Sequence, residues 1–113
     1  MERRFNEPRE SAMKMLKIVR IEYAVRPDVD LDELTGAIGE FVAGIHAHDP
    51  GHRYTSYQLR EDSRRFVHIG EFDAETLPGL QAEAFFGRFT AFLRERCAAG
   101  PEVTALTRVA STR

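Results

Sequence analysis

His68 stands inside a strand-like run, Arg65-Phe66-Val67-His68-Ile69-Gly70-Glu71-Phe72, whose aromatic and β-branched residues are typical of strands. An apolar surrounding keeps an imidazole neutral, because burial disfavours its charged form, and a neutral imidazole is a general base. Facing a pocket, His68 would deprotonate a phenolic hydroxyl. Facing a packed core, it would be a histidine bonded to a neighbouring strand. Phe66 and Phe72 share its face and would line the site of an aromatic ligand. A second run, Arg53-Tyr54-Thr55-Ser56-Tyr57-Gln58-Leu59, places Tyr54 and Tyr57 on opposite faces, so at most one joins His68. Tyr54 is expected to orient the ligand, presenting an apolar ring and one directional hydroxyl. Arg20 and Glu22 share a face of an earlier strand. They would anchor an anionic or hydroxylated ligand, or pair across two subunits.

His46, His48 and His52 have a spacing that invites a metal reading. On a helix, however, the first two diverge by about 200°. A helix C-terminus carrying solvated histidines is the better account, and no metal site is expected. Cys97, the single cysteine, falls on an apolar helical stripe and reads as a small buried hydrophobe. No phosphate-binding glycine loop, nucleotide fold or nucleophile elbow is present, so a flavin or nicotinamide cofactor has no support.

The elements that must carry these residues follow from periodicity. Residues 1–14 are polar and read as an arm outside the fold, with a single domain over 15–113. Residues 16–26 alternate as a strand that Pro27 ends. Asp30 caps a helix, Glu33 completes a capping-box-like pattern, and Leu31, Leu34, Ile38, Phe41, Val42 and Ile45 form one face. Gly36, Gly39 and Gly44 in that helix suggest close approach of another backbone. Asp49-Pro50-Gly51 stops it. The two runs above then form a hairpin around a charged turn. A second helical region starts near residues 75–78 and breaks around 82–84. It continues through Phe85, Phe86, Phe89, Phe92, Leu93 and Cys97, with Gly100 as its cap. Residues 102–110 form the last strand. The order strand-helix-strand-strand-helix-strand predicts a ferredoxin-like α+β subunit: a four-stranded antiparallel sheet with two helices on one face. The other face is then bare. It would carry residues such as Ile18, Phe66 and Phe72, or the alternate set, and a homodimer with sheets face to face would cover it.

The net charge of −2 over 113 residues gives no reason to expect nucleic acid, and Arg64, Arg65, Arg94 and Arg96 read as solvated charges. No apolar run is long enough to cross a membrane. The first residues lack the apolar core of a secretory leader, and a cytoplasmic setting is expected.

Residues 16–109 resemble the antibiotic biosynthesis monooxygenase-like family of the dimeric α+β barrel superfamily. The matching features are Tyr54-x-x-Tyr57, the run from Phe66 to Phe72, Phe85-Phe86-x-x-Phe89 and Gly100-Pro101-x-Val103. The resemblance implies a pocket between sheet and helices, and includes small cofactor-independent oxygenases acting on quinols or aromatic polyketides. Many quinol-oxidising members carry histidines early in the second helical region, where this chain has Leu80-Gln81-Ala82-Glu83-Ala84-Phe85-Phe86. The heme-degrading branch uses a Trp, Asn and His set. Here there is no Trp, and the one Asn is Asn6 in the arm. The leading expectation is a cofactor-independent monooxygenase of a small aromatic molecule, with His68 as base and Tyr54 and Arg20 orienting the ligand. The alternatives are a non-catalytic ligand-binding dimer and a cyclase or isomerase.

Overall fold

The computed structural model describes residues 16–112, and the arm expected over 1–14 lies outside the described residues. The chain runs β1 (Leu16–Val25), α1 (Leu31–His48), β2 (Arg53–Gln58), β3 (Arg65–Asp73), α2 (Leu77–Gln81), α3 (Ala84–Arg96) and β4 (Cys97–Leu106). The strands form one sheet in the order β2-β3-β1-β4, every neighbouring pair antiparallel. This is the expected ferredoxin-like α+β fold.

The capping prediction for α1 holds. The Asp30 carboxylate accepts hydrogen bonds from the backbone N–H groups of Asp32 at 2.9 Å and Glu33 at 3.3 Å, satisfying two donors that a helix start leaves open. The buried stripe is Leu34, Ile38, Phe41 and Ile45. Of the three α1 glycines, Gly44 is the one that meets a close neighbour, and it is a ring rather than a backbone: a Cβ there would lie 2.7 Å from Phe85. The second helical region breaks between Gln81 and Ala84, as its pattern predicted, with Pro78 in the first turn of α2.

The C-terminal boundaries differ from the sequence reading. The last strand runs Cys97–Leu106 rather than 102–110, and Gly100 does not cap a helix. Cys97 and Ala99 pair with Val25 and Ala24 across register shifts, so β4 bulges as it leaves α3. Gly100 sits in this bulge at φ +83°, where a Cβ would approach the Glu22 carbonyl oxygen to 2.8 Å. Arg64 is not a solvated charge either. Its guanidinium donates to the carbonyls of Arg26 and Val29, clipping the hairpin turn to the loop between β1 and α1. Arg96 lies over the Phe92 ring, 3.6 Å from its centroid.

The phase of β3 decides the two sheet faces. Phe66, His68, Gly70 and Phe72 point to the helices, with Phe66 only 2% and Phe72 only 4% exposed. The expectation that Phe66 and Phe72 share the bare face with Ile18 is corrected; the alternate phase is the one found. The Phe66 and Phe72 rings join Tyr23, Phe41 and Phe89 in the core, where apolar surface is removed from water. The alternate set, Val67, Ile69 and Glu71, pairs with Glu22, Arg20 and Ile18 of β1 on the helix-free face. No described helix is long and apolar enough to cross a membrane.

Candidate active site

Antiparallel pairing of β1 with β3 sets Ile21 opposite His68 and Tyr23 opposite Phe66. Pairing of β2 with β3 sets Ser56 opposite His68 and Tyr54 opposite Gly70. Tyr23 and Tyr54 are therefore diagonal neighbours of His68 on the same face, within reach of its ring. Both use that position. Tyr23 Oη lies 2.9 Å from His68 Nε2, and Tyr54 Oη lies 2.9 Å from His68 Nδ1. The two tyrosine rings stand at 70° and 90° to the imidazole. Gly70 makes room for this: a Cβ there would lie 2.5 Å from the Phe72 ring and 3.1 Å from that of Tyr54.

His68 is 0% exposed. Burial pushes its pKa down to about 4, so it is neutral at physiological pH. Burial raises both tyrosine hydroxyls above their ordinary 10, so both stay protonated. A neutral imidazole has one N–H and one bare nitrogen. One tyrosine hydroxyl therefore donates to the bare nitrogen while the other accepts from the N–H. The three groups form a directional chain that reverses when the imidazole changes tautomer.

A cavity of about 530 Å³ lies between the sheet and the helices. Val19 and Ile21 of β1, Tyr54 of β2, Phe72 of β3 and Val103 and Ala105 of β4 line the sheet side. Phe41, Leu77, Gln81, Phe86, Phe89, Thr90, Leu93 and Arg94 line the helical side, and Lys17 and Pro101 complete the wall. Phe41 stacks on Phe89 at 4.1 Å and meets Tyr54 edge-on at 5.3 Å, which fixes the Tyr54 ring at the wall. The cavity is open beside β4, where Val103 faces inward yet is 66% exposed.

The expected site residues divide sharply. Tyr54 and Phe72 line the cavity. His68 does not; it lies behind Tyr54, with both ring nitrogens engaged. Phe66 does not line it either, and stacks on Tyr23 with ring centroids 5.5 Å apart. Arg20 and Glu22 lie across the sheet, on the helix-free face, because odd-numbered β1 residues point to the helices and even-numbered ones away. They pair with each other, and Arg65 donates to Glu22 at 3.2 Å. They therefore cannot meet a ligand beside His68, which corrects that expectation. Tyr23 was missed as a site residue. The available signal was its position on the Val19–Ile21–Val25 face of a strand that must neighbour β3 in this topology.

The three clustered histidines also separate. His46 is exposed, while His48 and His52 stack with ring centroids 6.1 Å apart. His52 is buried rather than solvated. The Asp49-Pro50-Gly51 turn tucks it against the Phe72 ring, where Nδ1 accepts from the Asp73 N–H at 3.4 Å. No group of three metal-ligating side chains converges among the described residues.

Comparisons with known proteins bear on this arrangement through the fold. No family model matches the chain, and no curated protein matches it in sequence. Solved structures do match. Rv0793 from Mycobacterium tuberculosis superimposes with a TM-score of 0.72 at 18% identity, covering 87% of this chain and 99% of its own. SnoaB, a cofactor-independent oxygenase from Streptomyces nogalater, gives 0.71 at 18% identity over 87% of this chain and 97% of its own. A protein described as an antibiotic biosynthesis monooxygenase gives 0.72 at 21% identity over 85% of this chain and all of its own. The family resemblance read from the sequence thus reappears as a likeness of fold. At these identities it is the fold that is shared, and function must be argued from the site.

Proposed function

We propose that the chain is an oxygenase that acts on a small hydroxylated aromatic molecule without a metal or organic cofactor. The observation that carries this reading is the apolar cavity with one tyrosine hydroxyl at its wall, backed by a neutral buried histidine. The likeness to SnoaB agrees with it. In the productive tautomer Tyr54 donates to His68 Nδ1, and the Tyr54 oxygen accepts the hydrogen bond of a substrate hydroxyl or acidic C–H. As the substrate ionises, the proton passes through Tyr54 to His68. The substrate carbanion then gives two electrons to dioxygen and forms a C–O bond. Protonation of the peroxide and loss of water leave a carbonyl, so CH2 and O2 become C=O and H2O. A pKa near 4 makes protonated His68 costly, roughly 4 kcal/mol at neutral pH. It is therefore a transient acceptor that returns the proton to the peroxide.

Oxygen uptake by metal-stripped protein with hydroquinones and polycyclic phenols tests the reading, run beside Tyr54→Phe. The expected result is protein-dependent uptake whose kcat falls about 100-fold in the variant, with KM little changed because the ring remains. Uptake no faster than buffer across the panel, or unchanged in Tyr54→Phe, would count against it.

One observation favours a second reading. Both His68 nitrogens are satisfied and sealed from the cavity, as in a structural core. A binding protein, or a cyclase or isomerase using Tyr54 alone, requires nothing more. Ligand binding without oxygen consumption would select it. In either case we propose a homodimer, with a second copy covering the helix-free sheet face.

A further inference from the structure

We infer that the cavity's ligand is an anion, an aromatic body bearing a carboxylate drawn to the cationic side chains Lys17 and Arg94. This rests on the cavity being the binding site and names the class of ligand it takes. The chain as a whole is acidic, with 18 Asp and Glu against 16 Lys and Arg. The cavity inverts that balance. Lys17 and Arg94 line it, and among the described residues no Asp or Glu does. Nor is either cation neutralised elsewhere. Arg20, Arg26, Arg65, Arg96 and Arg108 each have a carboxylate partner; Lys17 and Arg94, like Arg53, Arg60, Arg64 and Arg88, have none among the described residues.

Their placement follows from the elements. Lys17 is the first inward-pointing residue of β1, two before Val19, so it stands where the apolar face of the strand begins. Arg94 lies four residues, about one turn, beyond Thr90 on the inner face of α3. One charge is on the sheet side and one on the helical side of a mostly apolar cavity, and both residues keep access to solvent. Low-dielectric walls focus the field of uncompensated charges and raise the local concentration of counter-ions. A neutral aromatic would bury its rings equally well but leave both cations to water. A carboxylate-bearing one uses the rings and the charges together.

Calorimetric titration with 2-naphthoate and its neutral isostere 2-naphthamide tests the inference. Neither probe carries the hydroxyl that the proposed oxidation requires, so charge preference is read independently of turnover. The expected result is naphthoate binding about tenfold or more tightly than naphthamide, equivalent to about 1.4 kcal/mol. The preference should shrink as salt rises. Lys17→Gln and Arg94→Gln should each reduce it, and the double variant should erase it while naphthamide affinity stays the same. Equal affinity for the two probes, equal losses for both in the variants, or binding of neither would overturn the inference. Oxygen uptake from neutral phenols with no preference for naphthoate would sink the anion while sparing the oxygenase. A clear preference for naphthoate with no oxygen uptake would do the reverse.

Discussion

At the scale of single residues, burial gives His68 a consequence measurable without any substrate. Its folded-state pKa, about 4, lies below the ordinary 6.5, so between those values the unfolded chain binds the extra proton and the folded one does not. Stability is therefore unaffected by His68 above about pH 6.5 and falls as pH drops through the window. The shift corresponds to about 3 kcal/mol once pH reaches 4, and about 2 kcal/mol at pH 5. His68→Gln keeps a donor and an acceptor and cannot titrate. Urea unfolding of both proteins at pH 7.5 and pH 5 should show the wild type losing about 2 kcal/mol more than the variant. Parallel losses would mean that His68 is not held neutral. The other titratable groups are common to both proteins and cancel. Much of this site was legible in the run around His68, whose strand setting predicted a neutral imidazole. That its nitrogens are taken by Tyr23 and Tyr54 was not. Register between strands distant in sequence decides it, and no local pattern encodes that register.

At the scale of elements, the parts visible in the sequence are those governed by local chemistry. The Asp30 cap, the α1 stripe, the hairpin and the break before Ala84 depend on neighbours a few residues away. Replacing Asp30 with Ala should cost about 1 kcal/mol, since two helix-start N–H groups lose their acceptor. Thermal unfolding would show it as a drop of several degrees, and an unchanged midpoint would deny the cap a role. The start of β4 was hidden because Cys97 continues the 3–4 spacing of α3, and glycine followed by proline ordinarily marks a helix end. Pairing with Val25 and Ala24 overrides that spacing and pulls Cys97 and Ala99 into the sheet. Gly100 then carries a backbone requirement rather than a capping one. Gly100→Ala should destabilise by about 1–3 kcal/mol, from the left-handed φ together with crowding of the Glu22 carbonyl. A stability within experimental error of wild type would show that the bulge relaxes freely.

At the scale of the whole molecule, the sheet has two faces of different character. The helices cover one and leave the cavity beneath them. The other presents Ile18, Val67 and Ile69 as a part-apolar strip, with Tyr57 55% exposed beside it and Leu106 at its edge. Paired charges alternate with the strip: Arg20 and Glu22 stand opposite Ile69 and Val67, with Glu22 also held by Arg65, and Glu71, paired with Arg108 at 2.8 Å, stands opposite Ile18. Apolar residues interleaved with paired charges suit a partner with the same surface, because a two-fold axis brings each patch against its own copy. Such a contact would remove Ile69, in the middle strand pair, from water on both sides of the interface. Light scattering at micromolar concentration should therefore give twice the 12.9 kDa chain mass. Ile69→Lys, which places a charge at the centre of the strip, should return the mass to that of one chain while circular dichroism stays unchanged. A wild-type protein already of single-chain mass would leave this face to some other cover and remove the case for self-association. A variant that stays dimeric would relocate the interface to another surface, the exposed inner side of β4 around Val103 being the next apolar candidate.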